Sequence, residues 1–323
     1  SVRAAIDATP MERGDIVMLN DPFRGGTHLP DITLVSPVYL GRDKKPSFYV
    51  PNRAHHSEVG GMSPGSMPVA REIYQEGLII PPVHLVRRGE MVSDVLAMVL
   101  ANVRTPDERE GDLTAQIAAN RVPEARLVDT VRRYGRRQTL AYAAALQDYT
   151  ERVIRTAIRT IPEGRYEFED ALDDDGFHET PVTIRVAIDI RDGRATLDFT
   201  GSARQDNGSA NANYAITLSA CLYAFRCLVR DDVMYNAGVS RPITVVTEDA
   251  SELTSNYLIR RYEQFTSNPY SPLKRPPYFE KSLAATNPRV YIVRLKDGQF
   301  RRVLEARGWK PIADGAHHVA YAR

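Results

Sequence analysis

Apolar residues in the first fifty positions fall into short runs at residues 16–19, 32–39 and 47–50. Each run is bounded by Gly, Pro or Asp, which predicts three strands. From residue 93 the spacing changes to that of helices. Residues 93–103 follow an N-cap Ser93, and Thr105-Pro106-Asp107-Glu108 is a helix start, with Pro in the first turn and acids near the N-terminus. Leu113, Ile117, Leu127 and Val131 continue that helix, with Pro123 a break or kink and Gly135 its end. A second long helix is expected over residues 138–161, buried along Leu140, Ala144, Leu146, Val153 and Ile158.

Strict alternation returns at Val182, Ile184, Val186 and Ile188. Asp192-Gly193 then turns the chain into Ala195, Leu197 and Phe199, an antiparallel hairpin within a subdomain at about 165–202. A loop rich in Gly, Asn and Ser follows, then residues 214–229, apolar nearly all round and so expected to be buried, then a strand at 243–246. The pattern predicts an α+β fold: mixed sheets, a central pair of long helices and the hairpin subdomain. Residues 1–250 read as one region, set apart from the tail that follows. In the tail, 251–323, a strand at 289–295 and a helix at 300–307 are foldable.

Composition narrows the class. The chain has 323 residues, 43% hydrophobic and 26% charged, with net charge +1, so neither nucleic acid nor a membrane surface is an expected partner. The longest apolar run falls short of the roughly 18 residues of a membrane span, and the expected location is the cytoplasm. Cys221 and Cys227, six apart in an apolar stretch, read as reduced, buried thiols. Only Lys44 and Lys45 precede residue 250, whereas Lys274, Lys281, Lys296 and Lys310 crowd the tail, which suggests a different origin for it. A chain that begins at Ser1, almost at once in a helix-like segment, reads as a fragment.

The candidate chemistry lies near the amino terminus. Four of the seven histidines fall between positions 28 and 84, three of them in Asn20-Asp21-Pro22-Phe23-Arg24-Gly25-Gly26-Thr27-His28-Leu29-Pro30-Asp31 and in the segment from Asn52 to Met67. Both segments sit on expected loops at strand ends, where a sheet can aim side chains at a shared point. His28 and Asp31, three apart on a Gly-Gly-Thr turn, suit a borderline divalent cation such as Mn, Fe or Zn; turn-stabilising hydrogen bonds explain the same residues. His55 or His56 would complete a two-His, one-carboxylate site, and adjacent residues on an extended segment point to opposite sides. Glu58 is a candidate partner of the histidines or general base. Gly60-Gly61 and Pro64-Gly65-Ser66 offer N–H groups for an anion, and Asp21 either joins the site or holds its turn. Asp112 and Gln116, four apart on a helix, share a face that could reach the site. Asp173-Asp174-Asp175 reads as an exposed turn, and His84, His178, His317 and His318 receive no role. No nucleotide-binding glycine fingerprint is present, so this chain is not expected to bind ATP itself.

The two histidine blocks, together with Arg104-Thr105-Pro106, Gly111-Asp112-Leu113-Thr114-Ala115-Gln116, Pro162-Glu163-Gly164, Asp198-Phe199-Thr200-Gly201-Ser202 and Asn236-Ala237-Gly238-Val239-Ser240-Arg241-Pro242-Ile243, resemble the hydantoinase B/5-oxoprolinase family, in order, over roughly residues 10–250. Members are longer at both ends and carry Asp where this chain has Glu58. The resemblance implies metal ligation by His28, Asp31 and His55, with Glu58, Asp112 and His56 as catalytic residues. It implies a hydantoinase A-like ATPase partner in a hetero-oligomer, which activates a small cyclic amide or ketone for reaction at this subunit. The implied reaction is ATP-dependent hydrolysis of a ring C–N bond. The alternatives are carboxylation, as in acetone and acetophenone carboxylases, and a truncated remnant that survives as a binding or assembly module.

Overall fold

The computed structural model describes residues 1–66, 68–204, 210–229 and 233–247, and three strands further on. The chain divides into two compact units, Ser1–Asn256 and Tyr257–Arg323. The first is built on a five-stranded antiparallel sheet, order β3-β2-β1-β4-β5, from β1 (Ile16–Leu19), β2 (Asp31–Val38), β3 (Phe48–His55), β4 (Val83–Arg87) and β5 (Glu90–Met91). Helix α1 (Val2–Ala8) packs near one face, while α3 (Ser93–Ala101) and α4 (Pro106–Tyr134) pack near the other. A short helix, α2 (Ile73–Glu76), lies between β3 and β4 in sequence.

Both faces of this sheet are covered, which explains why β1 and β2 read as continuous apolar runs. Successive side chains alternate across a strand. Ile16, Met18, Ile32 and Leu34 therefore enter a core with Val99, Leu113 and Ile117, while Val17, Leu19 and Val35 meet Ala5 and Met11 on the other side. Strand β3 is longer than the expected 47–50 and runs through Pro51. It is the edge strand, the position in a sheet that tolerates a missing N–H.

The helices correct the sequence reading in three places. Helix α4 runs through Pro123 without a break. Helix α5 (Arg136–Ile158) buries Thr150, Ile154 and Ile158, whereas Leu140, Ala144 and Leu146 are exposed. The apolar side chains of its first half stay exposed, so periodicity marked an apolar face but not its burial. Helix α6 (Tyr214–Cys227) is buried on one side only, through Thr217, Cys221, Leu222 and Phe225, with Tyr223 exposed. Cys227 is exposed, and burial pushes the thiol of Cys221 up to about 12.

A mixed four-stranded sheet, order β6-β7-β8-β9, holds the predicted hairpin. It contains β6 (Gly164–Leu172), β7 (Val182–Arg191), β8 (Arg194–Asp198) and β9 (Ile243–Val246), with β8 and β9 parallel. Mixed and antiparallel sheets beside long helices make the fold α+β, as expected. In the second unit, β10 (Val290–Arg294), β11 (Lys310–Asp314) and β12 (His318–Ala322) form an antiparallel sheet of order β10-β12-β11. The expected helix at 300–307 and the side chains of His317 and His318 lie outside the described residues.

Two leucines test this burial pattern. Leu113→Ala should cost about 2–5 kcal/mol in urea unfolding, because Leu113 is 1% exposed in the core. Leu146→Ala should cost about 0.5 kcal/mol or less.

Candidate metal centre and adjoining cleft

The loop entering β2 is held by one buried side chain. Asn20, 0% exposed, donates its amide to the carbonyls of Leu29 (2.7 Å) and Leu78 (2.9 Å) and accepts the Ile80 N–H (2.6 Å). Gly25 takes a left-handed φ of 93° and Gly26 lies against the Asn20 carbonyl, where a Cβ would come within 2.0 Å of the oxygen. The Gly-Gly pair thus lets the chain double back on Asn20. Asp21 serves the turn, accepting the Phe23 N–H at 2.9 Å. Asn213, the N-cap of α6, donates to the Thr27 carbonyl (2.7 Å) and ties the loop to a residue 186 positions away.

On this scaffold His28, Asp31 and His55 converge. Their candidate ligand atoms lie within 4.8 Å of one another. Asp31 Oδ2 is 3.0 Å from His28 Nδ1, Asp31 Oδ1 is 3.2 Å from His55 Nδ1, and the Thr27 hydroxyl donates to Oδ2 at 2.7 Å. Strand register creates the contact: Asp31 opens β2 and pairs directly with His55, the last residue of β3. His55 therefore stands at a strand end and not on a loop. Burial alone would raise the Asp31 carboxyl, but the hydrogen bond and charge of His28, the Thr27 hydroxyl and the Arg53 guanidinium outweigh it and hold it at about 2. Two imidazoles and an ionised carboxylate gathered this closely form a donor set of the kind that suits a borderline divalent cation.

The next residue turns to the other side of the strand, toward α4. His56 is 2% exposed, its Nε2 lies 2.9 Å from Gln116 Oε1, and its Nδ1 lies 4.0 Å from Asp112 Oδ2. Burial pushes its pKa below the usual 6.5, against the opposing hydrogen bond to Gln116 and charge of Asp112. Asp112 pairs with the buried Arg109 at 3.0 Å, and Arg109 also donates to the Ser57 hydroxyl at 2.6 Å. Between β3 and α4 opens a cleft of about 330 Å³ whose walls include Arg53, His55, His56, Asp112 and Gln116. A smaller void of about 10 Å³ is lined by His56, Glu58, Arg109 and apolar side chains.

Glu58 is not brought to the cluster. It accepts the Gly60 N–H (2.8 Å) and the Arg104 N–H (3.0 Å) and pairs with the Arg104 guanidinium at 2.7 Å, so both carboxylate oxygens already have partners. Of the expected anion cradle, the Gly60 N–H is taken by Glu58. Gly60 and Gly61 pack where a Cβ would lie 2.4 Å from the Asn102 carbonyl and 2.6 Å from that of Gln75. Asp175 is buried, not exposed, and holds His178 at 2.7 Å, while His84 meets Asp15 at 3.2 Å, so neither histidine is isolated. Sequence reasoning missed Thr27, Arg109 and Glu76. Glu76, half-buried at the end of α2, has its carboxyl raised by burial against the attraction of His28. Thr27 stood inside the first histidine block without a role of its own; Arg109 and Glu76 carried none of the quoted motifs, and only the fold brings them near the histidines.

The family model for hydantoinase B/oxoprolinase matches residues 1–257, and the chain belongs to that family. Caprolactamase subunit beta of Pseudomonas jessenii is 32% identical over 233 residues, 72% of this chain and 40% of that one. The crystal structure of the ATP-dependent caprolactamase from Pseudomonas jessenii matches with a TM-score of 0.68 at 29% identity, over 77% of this chain and 43% of that chain. A nucleotide-free acetone carboxylase shares the fold at a TM-score of 0.67 and 20% identity, over 78% of this chain and 37% of that one. The chain thus spans about two fifths of the length of these relatives.

The Glu58–Arg104 pair predicts a pH signature. Burial alone would raise the Glu58 carboxyl, but the backbone N–H groups of Arg104 and Gly60 and the Arg104 guanidinium win, so it titrates below its ordinary 4.5. A carboxyl lowered on folding stabilises the fold above its unfolded pKa, and the gain is lost as pH falls through the folded value. The urea midpoint of Glu58→Gln should therefore lie below that of the wild type at pH 7. The gap should persist down to about 4.5 and close at lower pH.

Proposed function

We propose that this chain is the metal-bearing part of an ATP-dependent cyclic-amide hydrolase, acting on a ring C–N bond that a separate ATPase subunit activates. The observation that carries this reading is the convergence of His28, Asp31 and His55 beside a cleft that His55, His56 and Asp112 also line. Membership of the hydantoinase B/oxoprolinase family and the likeness to a caprolactamase subunit support the substrate class and the need for a partner.

His28, Asp31 and His55 would hold a divalent cation, Mn, Fe or Zn, which when bound supplies Lewis-acid polarisation and lowers the pKa of coordinated water toward about 7. The chain's own groups do the rest. His56 offers a neutral imidazole at the cleft wall as a proton acceptor, and Asp112, half-exposed and 4.0 Å away, stabilises positive charge that develops on that ring. Arg109 fixes the Asp112 carboxylate at 3.0 Å. Arg53 lines the same cleft and is placed to orient a small polar ring. Glu58 sets the loop that follows His56 and takes no part in proton transfer.

Metal analysis tests the centre. Wild-type protein from metal-supplemented medium should carry one equivalent of divalent metal, and His28→Ala, Asp31→Ala and His55→Ala should lose it while melting cooperatively. Metal-free wild-type protein would refute the ligand set. With the partner ATPase subunit, ATP-dependent ring opening of hydantoin, 5-oxoproline or caprolactam is the expected activity. Turnover of a ketone that requires bicarbonate would assign the chain to the carboxylases instead.

A further inference from the structure

Among the described residues two buried side-chain atoms have no hydrogen-bond partner: His56 Nδ1 and Arg109 Nε. Leaving such an atom unpaired costs about 1–3 kcal/mol, so its persistence asks for an explanation. The neighbouring network decides which ring nitrogen of His56 carries the proton. Gln116 Nε2 lies 3.0 Å from the Ile32 carbonyl oxygen and 2.8 Å from Asn52 Oδ1. A backbone carbonyl only accepts, so that end of the amide must be the NH₂ group and Oε1 must face His56. The orientation of Asn52 is anchored in the same way, because its Nδ2 donates to the Gln116 carbonyl at 2.6 Å and to Asn120 Oδ1 at 2.9 Å. Asn120 in turn donates to the Ser36 hydroxyl at 2.8 Å.

Gln116 Oε1 is an acceptor, so His56 Nε2, 2.9 Å from it, is the donor. The neutral ring then has its lone pair on Nδ1. That atom has Asp112 Oδ2 at 4.0 Å; Arg109 and His55 are the other charged or titratable neighbours, and Glu58 shares the wall of the small void. None of these donates a hydrogen bond to Nδ1.

We infer that Gln116 is a positioning residue: it locks His56 in the tautomer protonated on Nε2 and so keeps Nδ1 as an unpaired acceptor for a water or a substrate ring N–H entering between β3 and α4. What donates to Nδ1 rests on the cyclic-amide reading; the tautomer itself does not. The lock also separates two adjacent histidines by task. His55 meets Asp31 on one side of β3, and His56 meets α4 on the other.

The test is long-range ¹H–¹⁵N correlation spectroscopy on metal-free protein with ¹⁵N-labelled histidine, with the His56 signals assigned by their loss in His56→Gln. The expected result is a protonated, pyrrole-type Nε2 and a pyridine-type Nδ1. A pyrrole-type Nδ1 in the folded wild type would overturn the inference. In Gln116→Met the pattern should give way to a mixture of tautomers, and an unchanged tautomer in a folded variant would also overturn it. In the reconstituted assembly the same variant should lose about 100-fold or more in kcat with KM little changed. A wild type with the expected tautomer but no ring-opening activity would leave the lock standing and reject the cyclic-amide reading.

Discussion

Asn20 is the constraint on which the site depends. One amide, wholly out of solvent, takes up the polar groups of two separate segments, the Leu29 carbonyl on one and the Leu78 carbonyl and Ile80 N–H on the other. Buried backbone groups need partners, and these segments lie beyond the ends of β1, β2 and β4, where the ladder does not supply them all. Asn20 thereby ties the histidine loop to the segment before β4, just ahead of the start of β2 at Asp31. That start sets the Asp31–His55 pair across β2 and β3. A shift of one residue would exchange the faces of every side chain on β3, placing His56 beside Asp31 and His55 against α4.

The same alternation builds two environments from one strand end. On the α1 side, Asp31 is flanked by imidazoles, a hydroxyl and the Arg53 guanidinium, and remains ionised. On the α4 side, a layer of amides from Asn52, Gln116 and Asn120 lies under the sheet, with nearly every hydrogen bond made. Buried networks of this kind are costly when incomplete, which limits how many arrangements they permit. The unpaired nitrogens of His56 and Arg109 stand out against that background because their neighbours are satisfied.

Much of this was legible in the residues themselves. Turn chemistry located the histidine loop, alternation found the 182–199 hairpin, and the ordered motifs carried the family resemblance. The reading failed wherever burial by a distant element mattered. Leu140 and Leu146 show the right period on α5 but stay exposed, and α6 is apolar nearly all round yet buried on one side only. Glu58 sits two residues after His56, but its carboxylate turns to Arg104, 46 positions further on.

By itself the sequence determined which residue types meet the demands of the site: glycines where the chain doubles back, imidazoles and a carboxylate near strand ends, and short apolar runs that form strands. Those are local properties of backbone and side chain. The tertiary structure decided which histidine faces which partner, because strand register and helix docking are set by contacts between segments far apart in sequence. His55 joins His28 and Asp31 through the pairing of β2 with β3. His56 meets Gln116 through the packing of α4 beneath β3, 60 residues later.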